Sequence, residues 1–395
     1  MTSLLFACGS AQTTEINQTS TPNSATEELT NEPLPQEEIS QISPALEPIE
    51  EINQTITIRM VGDILLHTRV EDSSRDEDGN YDFSAIFANV GEDIADADIA
   101  IVNQEVIIGG KELGISGYPA FNAPTEIGDA LTDTGFDVIC QATNHALDKG
   151  KKGILNTLAY WDTNKHATPI GIYDSEEESN EIYLTEVNGI KLAVLNYTYG
   201  TNGINLPSDM PYAVNLLNED KVRNDIQKAR EMTDFIIVCP HWGTEYRLSP
   251  DSMQEKWTKI FFEEGVNLVI GTHPHVIEPI ELIEDGNSQM LVYYSLGNFV
   301  NWTSGEGSGV YQRMIGGMAN IVLTMDENNN VLISDYGVEA LVTDLSEGYG
   351  GVTTYRLSDY TADMADKNLI RNQDPSFTYD NIHALCDEIW GELWY

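Results

Sequence analysis

The stretch Ile56-Thr57-Ile58-Arg59-Met60-Val61-Gly62-Asp63 decides the reading of the fold. Its apolar residues alternate, the pattern of a buried strand, and the run stops at a glycine and a carboxylate. Working outward, the same order recurs: an apolar strand pattern, a polar cluster, a helix-period segment. Residues 98–102 are followed by Asn103-Gln104-Glu105, and residues 136–141 by Asn144-His145-Ala146-Leu147-Asp148. Later, residues 235–239 lead to His241-Trp242-Gly243, and 268–270 to Gly271-Thr272-His273-Pro274-His275. Helical periodicity is expected over 83–97, 125–134, 152–164, 220–231 and 252–264, with a further strand over 192–197. Strands alternating with helices make an α/β sheet fold. Beyond residue 290 the pattern changes: 290–295, 319–325 and 331–342 read as antiparallel strands joined by turns such as Glu327-Asn328-Asn329-Asn330.

In open α/β sheets, ligands bind at the carboxyl ends of the parallel strands, so the five polar clusters converge on one crevice. Five of the seven His belong to them: His67, His145, His241, His273 and His275. Asp, Glu, Asn and neutral His form a ligand set for divalent ions such as Mn, Fe or Zn. A His-x-His after one strand reaches two adjacent ions, and a shared carboxylate holds such a pair roughly 3.5 to 4 Å apart. Any one of these His alone reads as a satisfied core or surface residue; five at successive strand ends do not.

The 395 residues carry 20 Lys and Arg against 64 Asp and Glu, a net charge of −44. That balance excludes a nucleic-acid binder, whose affinity rests on clustered cations. Residues 9–54 hold nine Glu and no Asp, Lys or Arg, and read as a disordered, self-repelling tether, with the folded part starting near Thr55. Ahead of it, Leu5-Phe6-Ala7-Cys8 resembles a bacterial lipobox. Lipidation of Cys8 would anchor the chain to the outer face of the cell membrane; the alternative is an incidental cysteine. No run of 18 apolar residues is present to span a bilayer. Cys140, Cys239 and Cys386 sit in apolar stretches and read as small buried hydrophobes. Residues 305–317, glycine-rich and carrying Arg313, are too flexible for a core element. They read as a surface loop, with a lid bringing a cation to an anionic substrate as the alternative. Residues 377–394 show helical spacing and read as a helix docked on the domain.

The order Gly62-Asp63, Asn103-Gln104-Glu105, Asn144-His145-Ala146-Leu147-Asp148, His241-Trp242-Gly243-Thr244-Glu245-Tyr246, Gly271-Thr272-His273-Pro274-His275-Val276 and Tyr294-Ser295-Leu296-Gly297-Asn298-Phe299 resembles the CapA family of bacterial capsule (poly-γ-glutamate) biosynthesis proteins. That family is a divergent branch of the calcineurin-like metallophosphoesterases. The resemblance implies an α/β two-sheet sandwich flanked by helices over residues 55–344, with 345–395 as a C-terminal extension. It also implies two divalent metal ions. Asp63 and His275 would serve the first, Asn144, His241 and His273 the second, and Glu105 would bridge them. His145 would act on the substrate as acid or base, with Asp148 orienting it. The superfamily's Asp-x-His is here Asp63 followed only by His67, which makes His67 a candidate ligand, and the usual bridging Asp is Glu105. Glu245, Tyr246 and Arg247, directly after a candidate ligand, are expected to line the substrate pocket.

Two function classes follow. One is a dinuclear metallohydrolase in which metal-activated hydroxide attacks a phosphorus or carbonyl centre of an anionic polymer or phosphoester, and His145 protonates the leaving group. The other is an extracytoplasmic accessory of a polyglutamate synthetase and exporter, whose metal site binds without cleaving. A strongly acidic chain repels a free polyanion, so electrostatics does not favour poly-γ-glutamate as direct substrate.

Overall fold

The computed structural model describes residues 54–164, 166–286, 288–345 and 351–395. The readings placed on Cys8 and the acidic segment up to residue 53 lie outside them. Among the described residues, no helix is long and apolar enough to cross a membrane.

Among the described residues, fourteen strands form two sheets. They are β1 Thr55–Ile64, β2 Ile99–Asn103, β3 Val138–Cys140, β4 Thr168–Ile170, β5 Tyr183–Val187, β6 Ile190–Thr198 and β7 Phe235–His241. Then follow β8 Leu268–Ile270, β9 Ile280–Asp285, β10 Ser288–Tyr293, β11 Asn298–Val300, β12 Ile315–Met325, β13 Val331–Asp344 and β14 Thr353–Arg356. The first sheet has the order β14-β13-β12-β1-β2-β3-β4, with β11 added to the end of β1; the second is β5-β6-β7-β8-β10-β9. In each, a parallel centre (β1-β2-β3-β4; β6-β7-β8-β10) is finished by antiparallel strands. Parallel neighbours need crossover connections, and the helices Glu126–Thr134, Gly150–Thr163, Glu219–Met232 and Ser252–Glu264 lie in the connections between strands. The chain is therefore the expected α/β fold of two sheets with helices.

Side-chain alternation explains the layering. Ile56, Ile58 and Met60 of β1 join Leu192, Val194, Ile237 and Leu291 of the second sheet in one buried core. The alternate residues Ala193, Leu195, Ile236, Val238 and Val292 face the other way, where Val222, Ile226, Trp257, Ile260 and Phe261 of two helices cover them. Both faces of the second sheet are thus dry, which is why β7 reads as a nearly continuous apolar run.

Two expectations need correction. The helix expected over 83–97 is two short helices, Ser84–Phe87 and Gly91–Ala95. Between them, Asn89 Nδ2 donates to Thr353 Oγ1 at 2.9 Å and ties the break to β14. Residues 305–317 are not all loop: Ile315, Gly316 and Gly317 begin β12 and are buried. There the missing side chain is the point, since a Cβ at Gly317 would collide with Val338 and Trp390. Trp390 ends the helix Tyr379–Trp390, whose Ile382, Leu385 and Cys386 are also buried; its indole donates to the Glu278 carbonyl at 3.1 Å.

Candidate metal centre

The two sheets bring their carboxyl ends together, and the polar clusters meet there. Asp63 lies near the end of β1, Glu105 two residues beyond β2, His241 at the end of β7, and His273 and His275 just beyond β8. Asp63, Glu105, Asn144, His241, His273 and His275 are all buried, each no more than 4% exposed. A crowd of titratable groups that dry demands a reason, because buried polar groups are costly unless paired.

Glu105 sits at the centre of the crowd. Its Oε1 lies 3.7 Å from His241 Nε2, 3.6 Å from His275 Nε2 and 4.0 Å from His145 Nε2. Neither of its carboxylate oxygens has a hydrogen-bond partner among the described residues. Asp63 Oδ2 lies 3.2 Å from His275 Nδ1 and accepts from the His273 backbone N–H at 3.2 Å, while Asn103 Nδ2 donates to Asp63 Oδ1 at 2.8 Å. On the other side Asn144 Oδ1 meets His241 Nε2 at 3.0 Å, and Thr272 Oγ1 meets His241 Nδ1 at 3.0 Å. His273 Nδ1 is buried and unpartnered. Among the described residues, ligand-type atoms fall into three groups whose members lie within 4.8 Å of one another: Asp63, Glu105 and His275; Glu105, His241 and His273; Glu245, His273 and His275. Glu105 is shared by the first two groups, and this donor set of nitrogen and carboxylate oxygen is of a kind that could hold divalent metal.

Electrostatics favours cation binding at part of this set. Burial pushes the Glu105 carboxyl well above its ordinary range, against the pull of His275. Burial and the neighbouring histidines push His241 and His273 well below the ordinary imidazole value, which keeps them neutral, the form that binds a cation. Burial also disfavours charge on His275, but the carboxylates of Glu105 and Asp63 outweigh it and hold His275 up at about 10. Backbone strain is concentrated here too. His273 and His275 have φ of 101° and 57°, and Tyr246 beside them 65°. Non-glycine residues stay in that region only where the surroundings over-determine them. The surroundings do: the Tyr246 N–H donates to the Pro274 carbonyl at 2.7 Å, and Asn298 both meets His275 Nδ1 at 3.0 Å and donates to its carbonyl at 3.1 Å.

His145 faces this cluster from the third strand end. Its Nδ1 is 2.6 Å from Asp148 Oδ2, and the same oxygen accepts from the Phe121 backbone N–H at 2.7 Å. Phe121 lies edge-on to the His145 ring, with centroids 4.6 Å apart, and also touches the ring of His67 at 5.3 Å. His67 belongs to none of the three ligand groups; burial and the nearby His275 and His145 push its pKa down to about 4. Of the expected pocket residues, Glu245 joins a ligand group and the Tyr246 ring lies against His275, at 6.1 Å between centroids. Arg313 stacks its guanidinium on Tyr246, 3.6 Å from the ring centroid. Arg247 is placed differently: its Nε donates to Ser249 Oγ, and its electrostatic neighbours are Asp251 and Glu278. Sequence reading missed the supports Asn202, Thr272 and Asn298. Asn298 was findable, because it ends a glycine-asparagine turn inside a motif already singled out. Asn202, which accepts from Asn144 Nδ2 at 3.3 Å, stands in a loop with no signal of its own.

The chain is 27% identical to the capsule biosynthesis protein CapA of Bacillus anthracis over 276 residues, 66% of this chain and 64% of that one. It is 30% identical to the PGA biosynthesis protein CapA of Bacillus subtilis over 196 residues, 46% of this chain and 48% of that one. The chain thus spans less than two thirds of the length of either relative. Among solved structures, the NAD nucleotidase of Haemophilus influenzae superposes with a TM-score of 0.47 at 11% identity, covering 85% of this chain and 66% of that one. A putative 5'-nucleotidase from Staphylococcus aureus gives 0.44 at 14% identity, covering 84% and 58%. The family described as bacterial capsule synthesis protein PGA_cap matches residues 57–303, a span that includes Asp63, Glu105, Asn144, His145, His241, His273 and His275. With more than half of its length matched, the chain belongs to the PGA_cap family of bacterial capsule synthesis proteins.

Proposed function

We propose that this chain is an extracytoplasmic capsule-biosynthesis protein whose centre holds two divalent ions, Mn, Fe or Zn, and hydrolyses an anionic ester. The observation that carries the reading is Glu105: a fully buried carboxylate with both oxygens unpartnered, shared between two groups of candidate ligands. Asp63, Glu105 and His275 would hold one ion, and Glu105, His241, His273 and Asn144 the other. When bound there, such a pair would supply Lewis-acid activation of the ester and of water.

The chain's own residues do the rest. Asp148 accepts a proton bond from His145 Nδ1, which fixes the ring and leaves Nε2 facing the cluster. A proton held at Nε2 is then placed to pass to the leaving oxygen, the role of a general acid. Phe121 keeps water from the edge of that ring. Arg313, backed by Tyr246, offers its donors to an anionic group of the substrate, with the planar fork that suits phosphate or carboxylate.

Metal content decides the first part. The purified chain is reconstituted with Mn, Zn or Fe, its bound ions are counted by elemental analysis, and phosphomonoester, phosphodiester and γ-glutamyl amide substrates are then tested. Two ions per chain with turnover of at least one class is expected; no ion above background with any metal refutes the reading. We further propose lipidation at Cys8, a residue outside those described. Mass spectrometry of the membrane fraction should find Cys8 acylated, and a cytosolic chain with residues 1–8 intact and unmodified would refute it.

A further inference from the structure

Arg313 gains its place from a part of the chain beyond the family match. Its guanidinium carbon lies over the Tyr246 ring, its Nε is buried with no hydrogen-bond partner among the described residues, and its backbone carbonyl accepts from Asn298 Nδ2 at 2.9 Å. The outer side of the guanidinium meets Gly305, where a Cβ would lie 3.3 Å from Nη1. Gly305 therefore lies close beside the guanidinium, in position to limit its movement.

The stretch from Thr303 to Tyr311 has the composition of a mobile loop, yet it is tied along its length to two consecutive residues. Gln373 Nε2 donates to the carbonyls of Thr303 at 2.8 Å and Gly305 at 2.6 Å, and the Gly307 N–H donates to the Gln373 carbonyl at 3.0 Å. The Tyr311 N–H donates to Asp374 Oδ2 at 3.1 Å, and Asp374 is buried. Gln373 is itself held, since Arg69 Nη1 donates to its Oε1 at 3.0 Å. Polar atoms of one glutamine side chain thus fix two carbonyls of a glycine-rich segment that would otherwise be free.

We propose that Gln373 is a positioning residue: by clasping Thr303 and Gly305 it holds this strap against Arg313 and aims the guanidinium at the anionic group of a substrate seated at the metal centre. The inference rests on the proposed function in one respect, that Arg313 receives the anion. The clasp matters because an arginine that is already ordered loses less freedom on binding than one that must be ordered by the ligand.

Inorganic phosphate binding to the metal-reconstituted full chain, followed by calorimetry, tests it, together with the rate of tryptic cleavage after Arg313. Gln373→Ala and the bulk-conserving Gln373→Met should each weaken phosphate by about tenfold, the equivalent of one or two lost net hydrogen bonds. Metal stoichiometry should not change, and cleavage after Arg313 should accelerate. Arg313→Ala should weaken phosphate at least as much, and adding Gln373→Met to it should cost nothing further, because the two act in series. Wild-type phosphate affinity in Gln373→Met beside a clear loss in Arg313→Ala overturns the clasp. Unchanged affinity in Arg313→Ala overturns the aim given to Arg313 and the clasp with it, whereas failure of the wild-type chain to bind phosphate at all would count against the hydrolase centre.

Discussion

Exchanging Glu105 for glutamine should leave the metal-free protein at least as stable as wild type and shrink the stabilisation that metal confers. Without metal, wild type buries a carboxylate with no hydrogen-bond partner on either oxygen. An unsatisfied buried polar group costs about 1 to 3 kcal/mol, and more when charged. The attraction to His275 at 3.6 Å offsets part of that cost, but burial is the larger influence on Glu105. Glu105→Gln keeps the shape and removes the ionisable group whose charged form burial opposes, so in chelator it should be neutral to about 3 kcal/mol more stable. Over the compact unit Ile52–Tyr395, an unfolding entropy of about 2.1 cal/mol/K per residue sums to roughly 0.7 kcal/mol/K, so that gain is a rise of up to about 4 °C in Tm. With metal at about a thousand times its Kd, wild type gains about 4 kcal/mol, or roughly 6 °C. A hundredfold loss of affinity in the variant reduces the gain to about 1.4 kcal/mol, or roughly 2 °C. Differential scanning fluorimetry in chelator and in a manganese or zinc series reads both effects. A variant several degrees less stable than wild type in chelator would mean that Glu105 is a structural carboxylate satisfied by protein. Equal metal-induced shifts in both would mean that it is no ligand.

Two further outcomes follow from the same geometry. His145→Ala should retain its metals, because His145 belongs to none of the three ligand groups, while turnover falls by roughly 10² to 10⁴; loss of metal in that variant, or undiminished turnover, contradicts the assigned role. Burial pushes the Glu278 carboxyl up to about 8 despite its bond from Gln254, so this group stabilises the fold fully below its unfolded pKa near 4.5 and progressively less as pH rises through 8. Across that window wild type should lose on the order of 5 kcal/mol relative to Glu278→Gln, measured by urea unfolding of metal-free protein at pH 5, 7 and 9; parallel pH profiles for the two proteins would refute the burial argument.

The centre was legible because it is built from strand ends. A parallel strand is a short apolar run, and the residues that follow it must leave the sheet at one edge, so β1, β2, β3, β7 and β8 each announced a polar cluster in the chain order. What escaped notice is held together across long separations. β4 has three residues, one of them a proline, and β11 three more, too few to show a period. The bonds from Gln373 to Thr303 and Gly305 span 70 and 68 residues and join two stretches with no regular structure of their own in the sequence pattern. Composition also misled at 305–317, where glycine marked both a loop that is strapped down and the buried start of β12, packed under Trp390. Gly, read locally, signals freedom; only the neighbours decide whether that freedom is used or filled.

Charge finally separates a small anionic ester from a polyanion as ligand. The chain has 64 acidic residues and 20 basic ones, so its surface field repels any polyanion that approaches it. Under the proposed function the centre would differ from the surface, because two divalent ions would bring four positive charges to a cage whose carboxylates are Asp63, Glu105 and Glu245, with Arg313 beside it. A small anion can enter that local field, but a long one must lie along the repelling surface on either side. Salt screens exposed charges beyond a Debye length, about 10 Å at 0.1 M, and screens buried ones much less. Raising the ionic strength from 0.02 to 0.5 M should therefore strengthen the binding of poly-γ-glutamate to the metal-loaded chain, or leave it undetectable, while inorganic phosphate binding weakens only modestly. Polymer binding that is tight at low salt and falls steeply with added salt would reveal a cationic track along the surface, and would make the polymer itself the ligand.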